Sequence, residues 1–394
     1  ERPIYLDYHA TTPVDPRVLE SMLPWFGAHF GNPSSTHLYG QEASRAIREA
    51  GAQVAALVGA EIRPGVQHQV VFTSGATESI NLALNGYVQR HQPTDRPFRL
   101  GVLELEHKAV LDSCKFLQQA GQAEIRPLKV DACGQLDLTD LEAACSAGLD
   151  LLVVMAANNE VGTIYPLAAI GAIAGQNGVP FFCDASQAAG KIPLDFESWG
   201  ISLMALTAHK MYGPKGSGAF VIRRGTQLSA QIHGGGHQQG LRSGTLNVPA
   251  IVGLGTACSL RQQEMGTDEA RIARLRDQLQ QSLQSAIPGL VVNGDQASRL
   301  AGNLHLSLPD VPNDAMVAQL DGQLAFSTSS ACSSGLEASS HVLSAIGLAP
   351  ELQRGALRLS LGKQSGEAEA EQAAVLLIEA YQRIKARLEG VKTA

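Results

Sequence analysis

The sequence predicts an α/β fold: a mainly parallel sheet covered on both faces by helices, with a smaller α+β domain after it. Three observations predict it. Between about residues 69 and 223, near-continuous apolar runs alternate with helical segments, the pattern of parallel strands buried on both sides. Each run ends in polar residues, beyond the carboxyl ends of the strands where such sheets bind ligands. A polar-faced helix from about 261 to 285 then leads into further strands and helices that end in a helix at 366–388. On this reading a large domain spans 15–260 and a small one takes 1–14 plus 261–394.

Composition narrows the class. A chain of 394 residues, 44% hydrophobic and 17% charged, is long enough for two cores and too apolar to be disordered. The net charge of -7 provides no basic stripe for nucleic acid or an anionic membrane, leaving small molecules and proteins as partners. The absence of a membrane-length apolar stretch and of a leader leads us to expect a cytoplasmic location. Six cysteines (Cys114, Cys133, Cys145, Cys183, Cys258 and Cys332) are scattered without C-x-x-C spacing, as reduced thiols would be.

Taken in order, the chain opens with turn-rich segments at 4–13 and 31–35, which belong near a surface or a site. A helix is expected from 39 to 57, with Ala, Ile and Val on one face. Residues 69–73 form a strand, 74–77 a tight turn, and a helix starts at Glu78; its free N-H groups and the Thr77 hydroxyl form an anion site, or simply a capped helix. A strand at 100–105 ends in Glu106-His107-Lys108 before a helix to 119. One at 149–157 ends in Asn158-Asn159-Glu160, with a helix at 167–176, and one at 180–183 ends in Asp184-Ala185-Ser186-Gln187. The run beginning at Ser202 ends in Thr207-Ala208-His209-Lys210, and 218–223 is the last strand of the set.

Thr77, His107, Asn159, Asp184, Gln187, His209 and Lys210 thus converge on one crevice. Singly, each has an ordinary explanation: Asp184 as a helix cap, His107 as a core histidine, Lys210 as a surface lysine at a strand end. Together, an anion cradle, a carboxylate, an imidazole and a partly desolvated amine suit pyridoxal phosphate better than a nucleotide. The carboxylate keeps the pyridine nitrogen protonated, and the amine forms a Schiff base. No G-x-G-x-x-G or P-loop run follows a strand. His233 and His237 flank a triple glycine that disfavours the helix a zinc pair would need, so no metal is expected.

The motifs Thr73-Ser74-Gly75-Ala76-Thr77-Glu78, Glu106-His107-Lys108, Asn158-Asn159-Glu160-Val161-Gly162, Asp184-Ala185-Ser186-Gln187, His209-Lys210-Met211-Tyr212-Gly213-Pro214-Lys215-Gly216 and Arg242-Ser243-Gly244-Thr245 resemble those of the cysteine desulfurases in the class V aminotransferase group. The resemblance runs from Tyr5 to the last helix. It implies fold type I of the pyridoxal-phosphate enzymes, with a seven-stranded sheet, and a homodimer with sites at the subunit interface. It makes Lys210 the Schiff-base lysine and stacks His107 on the cofactor ring. Asp184 then binds the pyridine nitrogen and Gln187 the phenolic oxygen. Ala76, Thr77, Thr207, His209 and the partner's Thr245 hold the phosphate. Thr207 stands where relatives usually carry Ser; the hydroxyl is kept.

Asn159 and Arg358 are implied substrate contacts, Arg358 gripping the carboxylate. Cys332, in the small polar run 326–337, reads as an exposed thiol on a mobile loop and resembles the persulfide-forming cysteine of the subgroup with long loops. The implied reaction takes L-cysteine to L-alanine and leaves sulfur on Cys332, for an iron-sulfur scaffold or another acceptor protein. The alternative is an aminotransferase, or a cystine or selenocysteine lyase, on the same fold. A non-enzymatic scaffold that retains the fold is disfavoured, because no cofactor position is lost.

Overall fold

The computed structural model describes residues 2–63, 66–328 and 340–392, with the side chains at 62, 63, 66, 67, 391 and 392 excepted. Its centre is a seven-stranded sheet of β1 (Gln69–Thr73), β2 (Phe98–Leu103), β3 (Ala123–Leu128), β4 (Leu151–Val153), β5 (Phe181–Asp184), β6 (Leu203–Thr207) and β7 (Gly218–Ile222). The spatial order is β1-β7-β6-β5-β4-β2-β3, and β7 alone runs antiparallel to its neighbours.

The apolar runs are continuous because both faces are covered. In β6, Leu203 and Ala205 join the core under helices Ala76–His91 and Lys108–Gln119, whereas Met204 and Leu206 join the opposite core. Helices Leu38–Val58, Leu138–Ser146 and Leu167–Gln176 contribute to that second core. Alternate side chains of one strand therefore serve two cores, and neither face can be polar.

β4 ends sooner than the apolar run to 157 predicts, yet the backbone keeps to the sheet. Val154 and Ala156 N-H groups still donate to the Phe182 and Asp184 carbonyls at 3.1 and 2.9 Å. β3, with its flanking helix Leu138–Ser146, is absent from the sequence reading. It is an edge strand, three of its six residues are exposed or carry charge, and Pro127 interrupts it, so no apolar run marks it.

The helix expected at 261–285 is the second half of a 39-residue helix, Val248–Ala286. Its first half packs on the large core through Ile251, Leu254 and Cys258, and its second half supplies Ile272, Leu275, Leu279 and Leu283 to a separate apolar cluster. That cluster joins Leu6 to the four-stranded sheet of Val291–Val292, Asn303–Ser307, Ala356–Ser360 and Ser327–Thr328, and to the last helix, Glu367–Lys392. Val342, Leu343 and Ile346 cross back to the large core. Among the described residues, no helix is long and apolar enough to cross a membrane.

Candidate active site

The carboxyl ends of β1, β5 and β6, with the segments following β2 and β4, open on a cavity of about 540 Å³. It brings together Ala76, Thr77, His107, Asn159, Asp184, Gln187, Thr207, His209 and Lys210. A volume of this order admits a small cofactor with a substrate.

One wall is the start of helix Ala76–His91, preceded by Gly75 with no side-chain cap. An uncapped first turn leaves backbone donors and the positive end of the helix dipole for an anion. The approach is close: a Cβ on Gly218 would stand 2.7 Å from Gly75 Cα. Glu78 steadies the turn, accepting from Ser74 N-H at 2.8 Å and pairing with Arg242 Nε at 2.7 Å. Thr207 is buried opposite. His209 Nδ1 lies 3.0 Å from Thr11 Oγ1, and burial together with Lys210, Lys215 and Lys191 holds its imidazole down to about 4, neutral at physiological pH.

Lys210 leaves a short turn of 3-10 helix after β6, and its Nζ donates to the His9 carbonyl at 2.5 Å. Gln187 Nε2 donates to the same carbonyl at 2.9 Å. The turn-rich segment therefore threads under the site and orients two of its side chains. Asp184 Oδ1 accepts from Ser186 N at 2.9 Å and Ser186 Oγ at 2.5 Å, which fixes the carboxylate. The Ala109 N-H donates to His107 Nδ1 at 3.0 Å, setting the ring plane. Desolvation and then the Lys210 charge keep His107 below its ordinary value, against the opposing effect of Asp184. Beneath them Glu106 is wholly buried. Burial, with the nearby Asp184, pushes its carboxyl well above the usual range, so it is a neutral acid whose Oε1 accepts from Met155 N-H at 2.5 Å.

Arg358 stands behind this cavity, outside its lining. Its guanidinium donates to the Asn159 carbonyl at 2.9 Å, to Asp7 Oδ1 at 2.8 Å and to Ser327 Oγ at 3.1 Å, with Nε buried and unpartnered among the described residues. The Asp7 contact, which spans the two ends of the chain, has no mark in the local sequence around either residue. Thr245 lies exposed on its glycine-rich loop, away from the cavity lining. Cys332 and its loop lie outside the described residues.

The aminotransferase class-V family model matches residues 4–372. The cysteine desulfurase IscS of Anaeromyxobacter sp. (strain K) is 43% identical over 386 residues, 97% of this chain and 93% of the relative. The chain belongs to the cysteine desulfurases of the aminotransferase class-V family. Among solved structures, a NifS-like protein superposes with a TM-score of 0.88 at 34% identity, covering 98% of this chain and all of that one. A structure described as SspA in complex with cysteine gives 0.78 at 32% identity, covering 92% of this chain and 99% of its own. The fold class of the desulfurases is thus the fold of this chain, and the enzyme class is theirs.

Proposed function

We propose that this enzyme uses pyridoxal phosphate to convert L-cysteine to L-alanine and delivers the sulfur to Cys332. The observation that carries the assignment of the site is the convergence of an amine, a carboxylate, a neutral imidazole and an uncapped helix N-terminus on one cavity. The donor set fits the cofactor: an anion cradle for a phosphate, a carboxylate for a ring nitrogen and the Lys210 amine for a Schiff base line the same cavity. Ala76, Thr77, Thr207 and His209 would hold the phosphate, Asp184 the ring nitrogen, Gln187 the phenolic oxygen and His107 the ring face.

When bound, the cofactor supplies an electron sink next to the substrate Cα. Lys210, steadied by the His9 carbonyl, would hold the cofactor and move the proton at the substrate Cα. Asn159 and Arg358 orient the substrate carboxylate. The Cys332 thiolate attacks the substrate sulfur; the C-S bond breaks, Cβ takes a proton, and alanine leaves with a persulfide on the enzyme. Reduced thiols at Cys114, Cys133, Cys145, Cys183 and Cys258 suit a cytoplasmic setting. The product persulfide calls for an acceptor protein, an iron-sulfur scaffold being one. We further propose the division into 15–260 and 1–14 plus 261–394, supported by the separate apolar cluster that joins Leu6 to residues from Ile272 onward.

Two tests bear on these assignments. Arg358→Lys keeps the charge and loses the planar fork, so the KM for L-cysteine is expected to rise about ten- to hundredfold with a smaller change in kcat. An unchanged KM would remove Arg358 from the substrate. The second test concerns assembly. If Thr245 completes the site of the partner subunit, mixing Lys210→Ala with Thr245→Val chains yields dimers with both defects in one site and a wild-type second site. Mixed dimers are expected to regain about half the wild-type rate per dimer, and activity no better than either parent variant would refute the shared site.

A further inference from the structure

We propose that Lys191 is a positioning residue for the cofactor: it fixes which atom of the Gln187 amide faces the cavity and places a positive charge behind that amide. The inference rests on the pyridoxal-phosphate reading and adds a residue to it.

The geometry is a chain of three groups. Lys191 Nζ donates to Gln187 Oε1 at 3.0 Å, and Gln187 Nε2 donates to the His9 carbonyl at 2.9 Å. That carbonyl also accepts from Lys210 Nζ at 2.5 Å. An ammonium only donates and a carbonyl only accepts, so both ends of the amide dictate one orientation. A half-turn would set Nε2 against an ammonium and Oε1 against a carbonyl. The second N-H of Nε2 has no acceptor among the described residues, and Gln187 lines the cavity. A donor is therefore held ready for an acceptor in the cavity, such as an anionic phenolic oxygen.

The backbone holds Lys191 there. Gly190 is left-handed at φ 72°, and a Cβ on it would stand 2.9 Å from Arg261 Cγ. Arg261 Nε donates to the Gly190 carbonyl at 2.8 Å, while its other nitrogens pair with Asp268 at 2.5 Å and Glu269 at 2.9 Å. Arg261 is thus paired with carboxyl groups of its own helix, whereas the one side-chain hydrogen bond of Lys191 among the described residues goes to an uncharged amide. Burial, then Lys210, with Arg261 and Arg358 opposed by Glu269, draws the Lys191 amine down to about 7. An anion at Gln187 favours its charged form.

A cation in this place disfavours a further positive charge on the nitrogen joining Lys210 to the cofactor. Asp184, His107, His209 and Lys215 also line that cavity and stay constant across the variants. In the reconstituted full-length enzyme, Lys191→Met is expected to raise the midpoint of the spectroscopic pH titration of the Lys210-bound cofactor by about one unit. Lys191→Gln, which keeps a donor for Gln187 Oε1 without the charge, should give the same shift; Lys191→Arg should restore the wild-type midpoint. Cofactor affinity, measured apart from turnover, should weaken about tenfold in Lys191→Met and less in Lys191→Gln. Midpoints at the wild-type value in both uncharged variants overturn the proposal, and if Lys191→Met fails to fold, Lys191→Gln decides alone. A wild-type enzyme with no cofactor attached to Lys210 would instead defeat the underlying reading.

Discussion

Lys210→Ala is expected to abolish turnover: alanine formation from L-cysteine should fall by about three orders of magnitude or more, since in the proposed function one amine both carries the cofactor and moves the Cα proton. The change deletes a side chain at the mouth of the cavity, next to β6, whose Leu203, Met204, Ala205 and Leu206 remain packed. The fold should survive, so the measurement reads chemistry. Cofactor should still bind without a covalent link, because the uncapped helix start, Asp184 and Gln187 are untouched. Borohydride reduction then separates the outcomes. In the wild type it should attach the cofactor to Lys210 alone, and in the variant it should attach none. Attachment to Lys191, whose amine is also drawn down by burial, would reassign the site.

Much of this site was legible in the sequence because its residues follow strands. β1, β5 and β6 each run directly into motif residues, so an apolar run followed by polar ones locates both the element and the crevice. What escaped has a common physical cause, contacts made across the chain. The His9 carbonyl, which holds Lys210 and Gln187, is a backbone atom and carries no composition signal. Asp7 meets Arg358 across 351 residues, and Lys191 meets Gln187 through one turn beyond a motif that ended too soon. β3 went unread for the opposite reason, being exposed enough that burial left no mark on its sequence. Glu106 was seen only as the neighbour of His107; its burial, and hence its neutrality, is a property of the packed sheet.

Cys332→Ser should stop sulfur transfer while leaving cofactor and substrate binding in place. The other five cysteines are poor alternatives on physical grounds. Cys114, Cys145, Cys183 and Cys258 are buried, and burial pushes the Cys114 thiol to about 12 and raises the other three, so little thiolate exists on any of them. Cys133 is exposed, yet desolvation and the nearby Asp131 and Asp295 carboxylates raise its thiol as well. A nucleophile that must accept sulfur near neutral pH needs the opposite environment. Serine matches the size of cysteine, but its hydroxyl stays protonated and holds no persulfide, so sulfide and alanine production should fall by about three orders of magnitude. The cofactor spectrum should still change on adding L-cysteine, which separates lost transfer from lost binding. Mass spectrometry after incubation with L-cysteine in the absence of reductant should find one added sulfur on Cys332 in the wild type and none on the variant. Sulfur on Cys133 with Cys332 unmodified, or wild-type turnover by Cys332→Ser, would move the persulfide to another thiol and take the assignment of this loop with it.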